Sequence, residues 1–269
     1  MTQILLLFLI TCQAFCKEPR IGEVIDSSHT CYTITRSLGT GLFGKVFEAT
    51  NLEGDFFALK WYLPHENFLK GMLNLYRDVE REYYIGQLLD HPNIIRSIET
   101  LEGHYNVLEF VKGENLTSLS RGALTNAEVF RLAYQLVSAL KFALSYKLIN
   151  RDLHAGNIMI DENNELKIID LASFVSFEEI EVLTYVNDLT PHLIKNVDDI
   201  VAICLKIISK AKLPRATTIF FKSVIKKISW HCEANYNEGQ PIILEMYLDE
   251  IINSLEFCFS SLETNASHH

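Results

Sequence analysis

Between residues 32 and 63 apolar and polar side chains alternate, and Gly39, Gly41, Gly44 and Gly54 interrupt them. A period of two punctuated by glycine predicts twisted strands joined by turns. From Glu66 to Leu89 the period lengthens. Leu69, Met72, Leu75, Val79 and Ile85 stand among charged residues, which predicts an amphipathic helix ended by His91-Pro92-Asn93. Apolar runs at Ile94–Ile98 and Tyr105–Val111, parted by the turn Glu102-Gly103-His104, predict two further strands.

After Gly113 the pattern becomes helical. Thr125-Asn126-Ala127-Glu128 is a capping box, and Val129, Leu132, Ala133, Leu136, Val137, Leu140 and Leu144 behind it form a broad apolar stripe. Short strands are expected at Ile158–Ile160 and Leu166–Ile169, around the turn Asp161-Glu162-Asn163-Asn164. Further helices are expected over about residues 197–210, 215–232 and 241–258. The fold class is therefore α+β, with a strand-rich first lobe over 17–112, a helical second lobe over 113–262 and a disordered tail over 263–269.

The first sixteen residues carry no charged side chain, and the apolar run Ile4–Ile10 leads through Ala14 and Cys16 to the charged Lys17-Glu18. That is the pattern of a signal peptide, so a secreted or extracytoplasmic protein is expected; the rival readings of the segment are a lipid-attachment site at Leu9-Ile10-Thr11-Cys12 and a buried strand, and without a signal the protein would be cytoplasmic. The run is too short for a stable membrane span. Lys plus Arg number 24 against 34 Asp plus Glu, a net charge of −10, which disfavours nucleic acid as a partner. Any anionic ligand must then be held by a few placed cations, amides or metal ions. The six cysteines show no metal-ligand spacing; Cys204 reads as a buried hydrophobe, and a Cys232–Cys258 bridge is left open.

Leu38-Gly39-Thr40-Gly41-Leu42-Phe43-Gly44-Lys45-Val46 is a Gly-x-Gly-x-x-Gly-x-Val string between two strands, where side-chain-free positions let backbone amides approach phosphate oxygens. Phe57-Ala58-Leu59-Lys60 closes the next strand on a lysine. Glu82 precedes the His-Pro-Asn-Ile-Ile segment. Asn150-Arg151-Asp152-Leu153-His154-Ala155-Gly156-Asn157 and Asp170-Leu171-Ala172 follow in that order. From about residue 34 to residue 205 the chain resembles the eukaryotic-type protein kinases.

The resemblance implies a two-lobed kinase-like fold, ATP and Mg²⁺ as cofactors, and a monomer. Lys60 would contact the α- and β-phosphates, with Glu82 holding it extended. Asp152 would orient or deprotonate the acceptor hydroxyl, while Asn157 and Asp170 would hold Mg²⁺ through hard oxygens. Gly39, Gly41 and Gly44 would cradle phosphate, Val46, Ala58 and Met159 would sandwich adenine, Leu108 would guard the back of its pocket, and Glu109 to Val111 would form the hinge.

The sequence also departs from the family. Asn150 replaces a histidine, Leu171-Ala172 replace Phe-Gly, and Gly86 removes a side chain from the hydrophobic spine. Between Asp170 and a helix opening at Asp198-Asp199-Ile200, only Thr190-Pro191-His192 resembles part of an activation segment. Ser173, Ser176, Thr184 and Tyr185 are phosphosite candidates, and Glu178, Glu179 and Glu181 are candidate partners for Arg151. His154 stands where many Ser/Thr kinases carry lysine. The expected function is transfer of the ATP γ-phosphate to Ser/Thr hydroxyls of a protein substrate. The alternatives are a small-molecule kinase and a nucleotide-binding pseudokinase. The sequons Asn115-Leu116-Thr117 and Asn265-Ala266-Ser267 read as chance, and the closing histidines as a polar tail.

Overall fold

Alternation in the first third of the chain becomes hydrogen-bonded strands. The computed structural model describes residues 18–41, 44–62, 79–120, 122–184, 189–212, 215–237 and 243–266. Strands β1 (Val24–Asp26), β2 (Cys31–Thr40), β3 (Gly44–Thr50), β4 (Phe56–Tyr62), β5 (Ser97–Leu101) and β6 (Tyr105–Glu109) form one antiparallel sheet in the order β1-β2-β3-β4-β6-β5. Directly paired residues share a face, so the register sorts the side chains. Phe47 pairs with Leu59, and Leu59 with Val107; with Ile34, Ala49, Trp61 and Tyr105 they form the buried core of this unit. The other face carries Val46 opposite Lys60 and Ala58 opposite Leu108. Gly44 pairs with Tyr62, and a Cβ there would stand 2.1 Å from the Trp61 carbonyl oxygen, so the pairing itself demands glycine.

Residues 79–88 form helix α1. The rest of the helix expected over 66–89, the proposed signal segment 1–16, and Leu42 and Phe43 of the glycine string lie outside the described residues. The strand expected at Ile94–Ile98 is displaced to β5. Ile94 instead bridges Ile168 in parallel, and the Ile95 N–H donates to the Ile168 carbonyl at 2.9 Å. Those contacts cluster His91–Ile95 with the second unit, which otherwise runs from Lys112 onward, while Arg96–Val111 belong with the first. Strand β6 stops at Glu109, short of the expected Val111.

The second unit contains β7 (Gly113–Asn115), α2 (Asn126–Ser145), β8 (Leu148–Asn150), β9 (Ile158–Asp161), β10 (Leu166–Ile168), β11 (Phe174–Ser176), α3 (Phe177–Thr184), α4 (Thr190–Ile208), α5 (Arg215–Asn237) and α6 (Leu244–Ala266). The Thr125 side chain accepts from the Glu128 N–H, and the Glu128 carboxylate accepts from the Thr125 N–H, so the capping box is present in both directions. Behind it Val129, Leu132, Ala133, Leu136, Val137 and Leu140 are buried as the stripe requires. Strands β10-β9-β7 form one small sheet and β11-β8 another.

Helix α4 begins at Thr190, not near residue 197. Pro191 sits in its first turn, where a missing N–H costs nothing, so Thr190-Pro191-His192 opens the helix. Helix α6 spans Leu244–Ala266 instead of 241–258 and enters the stretch expected to be a disordered tail; no glycine or proline between Glu263 and Ala266 stops it. Cys31, Cys204, Cys232 and Cys258 are free thiols, so Cys232 and Cys258 are not bridged. Burial pushes the Cys204 thiol up to about 12 and those of Cys232 and Cys258 to about 11, which leaves them unreactive at neutral pH. Among the described residues no helix is long and apolar enough to cross a membrane.

Candidate active site

In the first unit, strand pairing fixes Lys60 and a helix fixes its partner. Lys60 stands on β4 between Val46 of β3 and Asn106 of β6. Its ammonium donates to Glu82 Oε1 of α1 at 2.8 Å. The Glu82 side chain is wholly buried while that of Lys60 is 14% exposed, so the carboxylate depends on its protein surroundings for the charge balance that water does not supply. The Lys60 ammonium also lies 5.3 Å from the centroid of the Tyr62 ring, within the range of a cation–π contact.

Around Lys60 the same sheet face carries the small or apolar Val46, Ala58 and Leu108 beside the polar Glu48 and Asn106. Ala58 and Leu108 are buried neighbours, and Val46 is half-buried. Gly39 pairs with Val46 and has no atom within 4 Å of where a Cβ would be, and the Gly41 N–H donates to the Gly44 carbonyl at 2.8 Å to close the loop. Gly39 therefore leaves open space, a Cβ on Gly41 would meet the Gly44 carbonyl oxygen at 3.8 Å, and Gly44 answers to strand packing. Glu109 accepts the Arg96 N–H on its carboxylate at 2.9 Å, which ties the end of β6 to the segment entering β5; Val111 is half-buried just beyond.

In the second unit, the loop from Asn150 to Asn157 is held by its own side chains. The Asp152 N–H donates to Asn150 Oδ1 at 3.0 Å, and Asn157 Nδ2 donates to the Asp152 carbonyl at 3.1 Å. That contact commits the amide nitrogen of Asn157 and leaves its oxygen as the acceptor of the side chain. Asp170 begins a short 3-10 turn, and its carboxylate accepts the Ser173 hydroxyl. Met159 lies half-buried on β9.

The donor set suits the cofactors of a phosphoryl transferase. Asn157 and Asp170 present hard oxygens, an open glycine position adjoins the sheet face that carries Val46, Ala58 and Leu108, and an ammonium is fixed beside that face. These observations are of each unit by itself.

Several residues that matter here left no motif in the sequence. Asn196 of α4 is buried and donates to the Asn150 carbonyl at 2.6 Å, and Lys195 donates to the Arg151 carbonyl at 3.4 Å and to Asp199 at 2.5 Å. Helix α4 thereby anchors the loop that carries Asp152. Burial raises the Asp199 carboxyl above the ordinary aspartate range, Lys195 opposes that shift, and the nearby charges of Asp198 and Asp152 reinforce it. Asn93 donates to the Leu166 carbonyl at 2.8 Å, and so locks the His91–Ile95 stretch to β10. The signal for Asn196 was Pro191: a helix opening there puts Asn196 on the buried face with Val197 and Ile200. Glu179, a candidate partner for Arg151, accepts the Ser176 N–H at 2.8 Å while Ser176 accepts the Glu179 N–H at 3.0 Å, a capping box for α3. In the first sequon Asn115 donates to the Gly156 carbonyl, so its amide is already engaged. Thr184 ends α3, and Tyr185 lies outside the described residues.

A strand-rich unit followed by a helical one, with the lysine–glutamate pair in the first and the Asp-Asn loop in the second, is the two-lobed kinase architecture. The family model for the protein kinase domain matches residues 32–190, and the chain belongs to that family. Its similar relatives include CBL-interacting protein kinase 12 of Oryza sativa subsp. japonica, 37% identical over 144 residues, which are 52% of this chain and 26% of that protein. CBL-interacting protein kinase 28 of the same plant is 37% identical over 52% of this chain and 32% of its own length. CBL-interacting protein kinase 5 is 32% identical over 167 residues, 60% of this chain and 36% of its own length. The matched stretch thus spans roughly a quarter to a third of these relatives.

Proposed function

We propose that this protein is a Ser/Thr protein kinase that transfers the γ-phosphate of ATP to a hydroxyl of a protein substrate. The observation that carries the reading is the joint retention of the Lys60–Glu82 pair at 2.8 Å and of a loop in which Asn157 fixes the backbone of Asp152. Phosphoryl transfer asks the protein mainly to position groups and neutralise charge. Mg²⁺, when bound, supplies charge neutralisation on the phosphates. Lys60 orients the α- and β-phosphates and Glu82 keeps its ammonium in place. Asp152 holds the acceptor hydroxyl and takes its proton as the oxygen bonds to the γ-phosphorus and the bond from that phosphorus to the bridging oxygen breaks, ADP leaving with that oxygen. Asn157 and Asp170 hold the metal.

A small-molecule acceptor is the second reading, favoured because Leu171–Leu189, between Asp170 and α4, holds only a 3-10 turn, β11 and α3 in its described part. The pseudokinase reading is opposed by the five retained residues Lys60, Glu82, Asp152, Asn157 and Asp170. Incubating the full chain with labelled ATP, Mg²⁺, a mixed protein extract and a metabolite pool, with Asp152→Asn as control, separates the three. Label in protein supports the first reading, label only in metabolites the second, and no label above the control the third. Export belongs to the proposal as well, on the strength of the uncharged apolar start. N-terminal sequencing of protein from its native producer should find chains that lack roughly the first sixteen residues; chains beginning at Met1 or Thr2 would count against it.

A further inference from the structure

His154 is two residues beyond Asp152 and has no part in the account so far. The backbone of Asp152 is fixed on both sides, by Asn150 and Asn157. Its carboxylate is 72% exposed and makes no hydrogen bond among the described residues; the nearest basic nitrogen is His154 Nε2, 3.8 Å from Oδ2. A carboxylate that must present one oxygen to an acceptor hydroxyl gains from a partner that fixes its rotation.

The His154 ring is seated by its surroundings. The Gly156 N–H donates to Nδ1 at 2.9 Å, so Nδ1 is the bare nitrogen of the neutral ring and Nε2 carries the proton. A Cβ on Gly156 would stand 2.6 Å from Cε1 and 2.7 Å from Nδ1, so the ring fills space that only glycine leaves. Gly156 is held in turn, since its carbonyl accepts from Asn115 Nδ2, and Asn115 Oδ1 accepts the Thr117 N–H at 2.7 Å. A continuous set of contacts therefore runs from β7 through Gly156 to a ring nitrogen 3.8 Å from the Asp152 carboxylate.

We propose that His154 is a positioning residue for Asp152. The neutral imidazole, its tautomer set by Gly156, presents Nε2–H to Oδ2. A small side-chain rotation shortens 3.8 Å to a hydrogen bond once the acceptor is seated, leaving Oδ1 for the hydroxyl. The proposal rests on the kinase reading of Asp152. The competing role is that of a loop cap, in which only the Nδ1 contact matters.

The two roles part on substitution. In His154→Asn the side-chain oxygen can still accept the Gly156 N–H as an Asx turn, but the amide is too short to reach Asp152. In His154→Gln a donor returns to the reach of Nε2. The experiment compares the full-length parent, Asp152→Asn, His154→Asn and His154→Gln with Mg²⁺-ATP and a degenerate Ser/Thr peptide library, reading phosphopeptide, ADP, KM for ATP and thermal midpoint. His154→Asn should keep the midpoint and hold KM for ATP within about twofold, while kcat falls about tenfold; His154→Gln should recover to within about threefold of the parent. Parental kcat in His154→Asn, or equal loss in both His154 variants, overturns the proposal while leaving the kinase reading intact. A parent no more active than Asp152→Asn overturns the kinase reading and this inference with it.

Discussion

Replacing Lys60 by methionine isolates the charge at the centre of the first unit. Methionine keeps an unbranched apolar stem but removes the ammonium 2.8 Å from Glu82 Oε1. The Glu82 side chain has no exposure to water, so the variant must either retain a buried carboxylate without that counter-charge or protonate it. Removing one partner of a buried pair costs about 3–5 kcal/mol, and the 14% exposure of Lys60 argues for the lower end, about 3 kcal/mol. At about 2–4 °C per kcal/mol for a chain of this size, the midpoint should fall by about 6–12 °C. Glu82→Gln in the same background removes the charge and should recover most of the loss, so the double-mutant cycle should show a coupling of about 2 kcal/mol or more. In the single variant the Glu82 carboxyl should be raised in the folded state, which then binds more protons than the unfolded chain. Its deficit should shrink as pH falls from about 8 to 5. Urea unfolding followed by tryptophan fluorescence reads this directly, since Trp61 is buried in the same sheet whereas Trp230 is 65% exposed on α5. A deficit below about 1 kcal/mol, or a double variant no more stable than Lys60→Met, would refute the reasoning.

Burial, reinforced by the charge of Lys167, holds the His91 imidazole below its ordinary range, so the folded state binds fewer protons there. Its contribution should be complete above about pH 6.5 and drain away as pH falls toward the folded value, and His91→Asn should flatten the acid limb of a stability–pH curve; an unchanged limb would show that His91 does not carry it. Mg²⁺-ATP should raise the thermal midpoint more than ATP with a chelator, and Asp170→Ala should abolish the difference. Equal shifts in the parent would favour the pseudokinase reading.

The legible parts of this protein were those governed by local periodicity or local chemistry. The alternation around Ala58 and Lys60 gave the strands, because a period of two decides which face each residue joins. The capping box at Thr125 and Glu128 gave the start of α2, because its hydrogen bonds span only three positions. Ile94 and Ile95 misled because their apolar character is equally suited to β5 and to the edge of β10, and only tertiary contact with Ile168 decides. The start of α4 was missed for a different reason: the polar Lys195 and Asn196 interrupt the apolar stripe, yet both are there to hold carbonyls of the Asn150–Asn157 loop. At the site, the candidate residues Lys60, Asp152, Asn157 and Asp170 stood in motifs, while those that contact their segments, Asn196, Asn115 and Ser173, act across the chain or through a single hydroxyl.

Asp152→Asn tests the central claim most directly. The amide keeps the size and shape of the carboxylate and should leave the backbone contacts from Asn150 and Asn157 in place, so nucleotide affinity should change by less than about threefold while turnover falls by a factor on the order of 10² or more. Affinity is read by titration of Mg²⁺-ATP against the full chain and turnover by phosphate transferred from labelled ATP to the acceptor pool. Near-parental phosphorylation of any acceptor by the variant would contradict the account, because the carboxylate of Asp152 would then not be the group that handles the hydroxyl.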